Sequence, residues 1–294
     1  MGKKTSWFCR IGILIIALFS VVFVHPANAV EPMIAAGSHH SVALKYDGTV
    51  WAWGFGGAGV LGNGSGISSS FPVQSSGLKD IIQVGAGYSH SIALKSDGTV
   101  WSWGWNVYGQ LGDDSLDRSD TPFQLSSPTN ITQIATGYHH TIALENDGTV
   151  WTWGKNLYGQ LGDGTTNDSN VPVQVQGLSD VVQIAAGSNH TLAVKSDKTI
   201  WAWGSNSSGQ LGDGTTENRL TPVQVSGLLD VILIAAGSDH TVAVETGGTV
   251  WAWGENRFYG QLGDGTASNS DTPILSPPKK VRSSLIAFPG QLTA

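Results

Sequence analysis

From His140 to Gly154 the chain reads HTIALENDGTVWTWG, with two apolar runs flanking the polar triplet Asn146-Asp147-Gly148. Asp-Gly between apolar runs is a strong hairpin signal, because both residues accept φ > 0. A third run, VPVQV (Val171 to Val175), follows a polar loop. A fourth, VVQIAAG (Val181 to Gly187), leads into the next histidine. The segments SVALK, SIALK, TIALE, TLAVK and TVAVE place large and small apolar residues at successive positions, so both faces of each strand are expected to pack on other sheets. Helical periodicity is missing from Val30 onward.

The pattern recurs every 50 residues. Trp51, Trp101, Trp151, Trp201 and Trp251 keep that spacing, as do Trp53, Trp103, Trp153, Trp203 and Trp253, and the histidines His40, His90, His140, His190 and His240. Such a period marks solenoids and propellers, each repeat being one unit that buries its apolar surface on its neighbours. Four short strands per repeat predict an all-β chain, a β-propeller of about five four-stranded blades. Ala43, Ala93, Ala143, Ala193 and Ala243 would let sheets approach, and the ten repeat tryptophans would fill the gaps between them. Lys198 stands where the other hairpins have glycine, so that turn must tolerate a side chain or adopt another type.

The first 29 residues read as an export signal. Lys3, Lys4 and Arg10 precede the apolar run Ile11 to Val24, and Ala27-Asn28-Ala29 offers a small-x-small cleavage site after Ala29. The run is shorter than the roughly 18 residues of a membrane span. The expected organisation is a signal peptide (1–29), propeller repeats (30–278) and a divergent tail (279–294), with a secreted or periplasmic product and no membrane association after cleavage. Cys9 leaves with the signal, so stability must come from packing and hydrogen bonds. Cleavage leaves 12 basic against 22 acidic residues, a net charge of −10, which disfavours nucleic acid as a partner.

The residues that look chemical mostly belong to the repeat. Each histidine sits in the same sentence, G-x-x-H-[ST]-[VIL]-A, so a local hydrogen bond accounts for all five better than a metal ring does. G-Q-L-G-D-G-T recurs as a solvated turn without the Lys-Ser/Thr of a phosphate loop or the spacing of a calcium loop. The residues supply no catalytic constellation, metal site or cofactor motif. Function is expected where the repeats disagree, at the positions before each histidine and after each W-x-W-G. Tyr88, Trp105, Tyr108, Tyr138, Tyr158, Phe258 and Tyr259 are the candidate partner-binding residues there.

The phrase GYSHSIALKSDGTVWSWGWNVYGQLGD resembles the repeat of the regulator of chromosome condensation (RCC1) family, and units two to five match it nearly throughout. The first unit departs, with FGGAGVLGNG after its tryptophans. The resemblance implies a β-propeller of four-stranded blades. Family members commonly close a ring of seven, so five legible units leave open a smaller ring closed by the tail or an incomplete ring. SLIAFPG in the tail echoes ILIAAGS at Ile232 to Ser238. The namesake's guanine-nucleotide exchange activity is one alternative, which the export signal, the acidity and the lack of a wedge-like insertion argue against. Exported bacterial proteins with these repeats imply a non-enzymatic binder of a protein or cell-surface partner. One of them is a secreted proteinaceous β-lactamase inhibitor, which makes enzyme inhibition a further alternative.

Overall fold

A computed structural model describes residues 30–276. The export segment and the tail therefore lie outside the described residues. Twenty strands form five separate four-stranded antiparallel sheets, each taking its strands in chain order. The blades span 33–74, 81–124, 131–174, 181–224 and 231–275. In the third blade the strands are Ile131–Thr136, His140–Glu145, Val150–Gly154 and Ser169–Gln174. Val181–Ala186, which follows the third run in the sequence, opens the fourth blade instead of ending the third. No helix occurs among the described residues.

The central hairpins close with Gly148 N–H donating to the Glu145 carbonyl at 3.1 Å and Glu145 N–H donating to the Thr149 carbonyl at 2.8 Å. Only the glycine has positive φ (86°), so the turn is a three-residue loop and not the tighter form in which Asp147 would share that conformation. Asp147 instead accepts from Thr149 N–H at 2.9 Å. Lys198 keeps the same backbone, with φ 66°. A β-carbon in this region costs about 1 kcal/mol, and the exposed Lys198–Asp230 contact at 3.3 Å returns only part of it. Lys198→Gly is expected to raise the melting temperature by about 1–4 °C, read by calorimetry; a lower melting temperature would mean the lysine contacts outweigh the backbone strain.

The core is divided into wedges between successive blades. One wedge joins Ile92, Leu94 and Val100 of blade two to Ile131, Ile134, Ala143 and Trp153 of blade three, and the other three wedges repeat the pattern. The second tryptophan of each pair does the filling: Trp103, Trp153, Trp203 and Trp253 are fully buried. The first members, such as Trp151, are half-buried at the hairpin end, where the Trp151 indole N–H donates to the Glu145 carboxylate at 2.9 Å. Ten tryptophans therefore do not share the gap-filling equally.

Polar clasps join the same surfaces. His140 Nε2 lies 3.1 Å from Thr191 Oγ1 of the next blade, and that hydroxyl donates to the Gln160 carbonyl at 2.9 Å. A hydroxyl has one proton to give, so the histidine must be the donor in the first bond. His40–Ser91, His90–Thr141 and His190–Thr241 repeat the clasp at 2.9–3.2 Å. The bond is thus between blades, 51 residues apart, and not the local one expected from the motif. Gly137 is required beneath it, since a β-carbon there would run into the His140 ring.

The blades curve around a shared axial depression, to which all five contribute a segment such as Ala36-Gly37-Ser38 or Ala236-Gly237-Ser238. The circuit is not closed among the described residues. Among the described residues no hydroxyl pairs with His240, and Val242, Val244 and Val250 are partly exposed where Ile142, Leu144 and Val150 of blade three are buried. At the other end Trp53 is only half-buried and Ile34 is 80% exposed.

Candidate aromatic site on the loop face

An antiparallel meander sends its first and third connections to one end. The variable positions lie in these two connections, so topology collects them on one face. Backbone bonds then set their spacing. Tyr88 N–H donates to the Tyr138 carbonyl at 2.9 Å and Tyr138 N–H to the Ser188 carbonyl at 3.0 Å, tying successive loops around the axis. Trp105 N–H donates to the Ser89 carbonyl at 2.7 Å, tying the second loop to the first.

The longer loop is braced by a buried asparagine. Asn106 Oδ1 accepts from Leu111 N–H at 2.9 Å, while its Nδ2 donates to Asp113 Oδ1 at 3.0 Å and to the Ser115 carbonyl at 3.1 Å. Gln110 Oε1 accepts from Tyr108 N–H at 3.0 Å. Asn156, Asn206 and Asn256 repeat the brace. Trp105 and Tyr108 are therefore presented on a preformed loop and need little ordering to bind. The recurrence of this asparagine seven residues before an aspartate, or eight in the lengthened fifth unit, was the available signal for it.

Four of the expected residues converge. Tyr88 and Tyr138 rings lie 4.3 Å apart, Tyr88 and Tyr108 both pack on His139 (5.1 and 4.9 Å), and Tyr138 meets His139 edge-on at 4.9 Å. A cavity of about 730 Å³ opens beside them, lined by His39, Phe55, Tyr88, Ser89, Trp105, Tyr108 and His139 over a floor of Gly57 and Ala58. The floor explains the irregular first unit: blade three has Leu157 and Tyr158 where blade one has Gly57 and Ala58, and the small pair leaves the space open. Phe55 (45%), Trp105 (39%) and Tyr138 (38%) remain exposed.

Tyr138 packs on the cluster without lining the cavity, and Tyr158, Phe258 and Tyr259 do not line it either. Tyr158 is half-buried on blade three. Phe258 and Tyr259 pair with each other at 6.2 Å on blade five and are 69% and 87% exposed. His39, Phe55 and His139 join the site although residue type alone did not single them out. Burial and the Lys155 ammonium push the His139 imidazole down to about 4, so this ring is neutral at pH 7. No group of three or more metal-ligating side chains comes together among the described residues.

The profile of the RCC1-like domain matches residues 20–293. Among solved structures the chain is similar to human WBSCR16, with a TM-score of 0.76 and 25% identity over 85% of this chain and 68% of that one. It is similar in fold to yeast RCC1 (Prp20) bound to Kap60 (TM-score 0.56, 22% identity, 84% and 75% covered). Prp20p from Saccharomyces cerevisiae, described with its binding to Gsp1p and histones, superposes with a TM-score of 0.55 at 24% identity, covering 84% of this chain and 77% of that one. No curated protein matches the chain in sequence.

Proposed function

The chain belongs to the RCC1-like domain family, and from that premise we propose that it is an exported, non-enzymatic propeller that binds a protein or cell-surface partner through one loop face. The observation that carries this reading is the convergence of Tyr88, Trp105 and Tyr108 with Phe55 and His139 around an open cavity, with Tyr138 packed behind Tyr88 and His139. Aromatic side chains supply large contact area with few rotatable bonds, and they dominate binding hot spots. Structural demand does not explain their number, because blade four folds equally well with Ser188, Ser205 and Ser208 at the same places. An enzyme is one class of partner such a face can take, in line with the resemblance to secreted β-lactamase inhibitors.

The test is capture of a partner by the immobilised chain, compared with the Tyr88→Ala/Trp105→Ala variant. Each hot-spot truncation costs about 1–2 kcal/mol or more, so the pair is expected to weaken binding at least about tenfold. Melting temperature should stay within a few degrees, because Trp105 is exposed and Tyr88 only half-buried. Equal binding by the variant would reject this face.

A further inference from the structure

The loop face changes character around the ring at one repeated pair of positions. Blade one has His39 and Phe55, blade two Ser89 and Trp105, blade three His139 and Lys155, blade four Asn189 and Ser205, and blade five Asp239 and Glu255. The pairs are spatially equivalent, because the later residue always donates its backbone N–H to the carbonyl of the earlier one, at 2.8, 2.7, 2.9, 2.8 and 2.7 Å in blade order. The circuit runs from aromatic through cationic and neutral to acidic.

The aromatic cavity lies at the start of this circuit, and its lining contains no carboxylate although the chain carries 22 acidic residues. Lys155 is the cation at its border, with Nζ 4.8 Å from the centroid of the Tyr108 ring. Among the described residues Lys155 forms no ion pair. Arg118 differs: it donates to the Gly57 carbonyl at 3.0 Å and is paired with Asp120 at 3.4 Å. Across the axis, burial and the Glu255 carboxylate hold the Asp239 carboxyl above the usual range, as expected where negative charge is concentrated.

We propose that this site takes a protruding loop of a protein partner, with an apolar side chain in the aromatic cavity and a carboxylate next to it on Lys155. This rests on the protein-binding reading above and adds the partner's chemistry and orientation. An apolar anchor displaces water from the rings and lowers the local dielectric, so an entering carboxylate meets Lys155 more strongly than it would in open solvent. The same carboxylate turned toward blade five meets Asp239 and Glu255 and is repelled, which leaves one orientation.

The test is selection of a displayed library of disulfide-closed random loops on the full chain, repeated on Lys155→Glu and on Tyr88→Ala/Trp105→Ala. Enriched loops should carry an aromatic or aliphatic residue with Asp or Glu within two positions. Lys155→Glu should weaken them about tenfold or more, as for loss and reversal of one partly desolvated charge pair, and should select Lys or Arg there instead; Lys155→Arg should retain them. Thermal melting establishes that each variant is folded. Loops that lose binding with Tyr88→Ala/Trp105→Ala but show no acidic preference would overturn this proposal and leave the binding face standing. Loops indifferent to both variants, or a failure to enrich any loop, would overturn both. Binding of neutral oligosaccharides in a parallel glycan screen, abolished by the aromatic variant and unaffected by Lys155→Glu, would replace the protein loop with a sugar.

Discussion

Trp153→Ala is expected to cost about 3–5 kcal/mol of stability, the range for deleting a large buried aromatic side chain. The indole is fully buried and belongs to the wedge that joins blades two and three. Its removal leaves a cavity between two sheets that are held 51 residues apart by the clasp of His90 and Thr141, so the site cannot collapse freely. Trp53→Ala supplies the internal comparison. It occupies the same repeat position, yet Trp53 is half-buried because no preceding blade covers it among the described residues. Its loss should cost less than half as much. Equilibrium urea unfolding of both variants measures the difference. Equal losses would mean that the wedge is not the unit of stability, contrary to the nearest-neighbour behaviour expected of repeat proteins.

That contrast marks where the residues alone were informative. The strands, the hairpins and the propeller architecture followed from apolar runs at a fixed period, because every blade needs the same pattern. The division of labour within each W-x-W pair did not follow. Residues i and i+2 share a face of a strand, so alternation cannot say that Trp153 lies deep and Trp151 near the hairpin end. The partner of each histidine was equally hidden, since His140 and Thr191 belong to different repeats and neither residue type announces the other. At the loop face, the variable positions named Tyr88, Trp105, Tyr108 and Tyr138, which the fold brings close together. The same criterion named Phe258 and Tyr259, which pair with each other on blade five away from this cavity, and it gave no role to Gly57 and Ala58. Those two matter through the volume they leave empty, a property that appears only when the facing loops are in place.

Acid should open the same interfaces, with an effect larger than any single truncation. His90, His140 and His190 are fully buried, and burial pushes each imidazole down to about 3. Each ring donates its Nε2 proton to a hydroxyl that is itself committed to a loop carbonyl, while Nδ1 is buried without a partner. Protonation would place a charge in that apolar slot with nothing to receive the second N–H. In the unfolded chain these histidines titrate near 6.5. The folded state is therefore favoured fully above pH 6.5, and stability falls as the pH drops from 6.5 toward 3, where the folded groups would at last take up protons. Each buried histidine contributes a slope of about 1.4 kcal/mol per pH unit in that window. Three acting together give about 4 kcal/mol per unit, enough to exhaust a typical stability of about 5–15 kcal/mol between pH 6 and pH 3. His40 and the half-buried His139, each lowered to about 4, add to this slope over pH 6.5 to 4, His139 the less because water reaches it. The exposed aspartates act elsewhere: Asp97, held at about 2 by Lys95 and Thr99, loses its contribution only below pH 4. Urea unfolding at pH 7.5, 6.5, 5.5 and 5.0 should show a flat upper segment and a steep fall below 6.5, with His140→Gln less stable at pH 7.5 but shallower in slope by about a quarter. A constant stability from pH 7.5 to 5.0 would mean the slots admit water or an anion when charged. Because each clasp joins two blades and none lies within one, the first species formed on acidification should have intact blades and separated wedges. Exposed tryptophan fluorescence at Trp153 and Trp203 would then precede the loss of strand signal in circular dichroism.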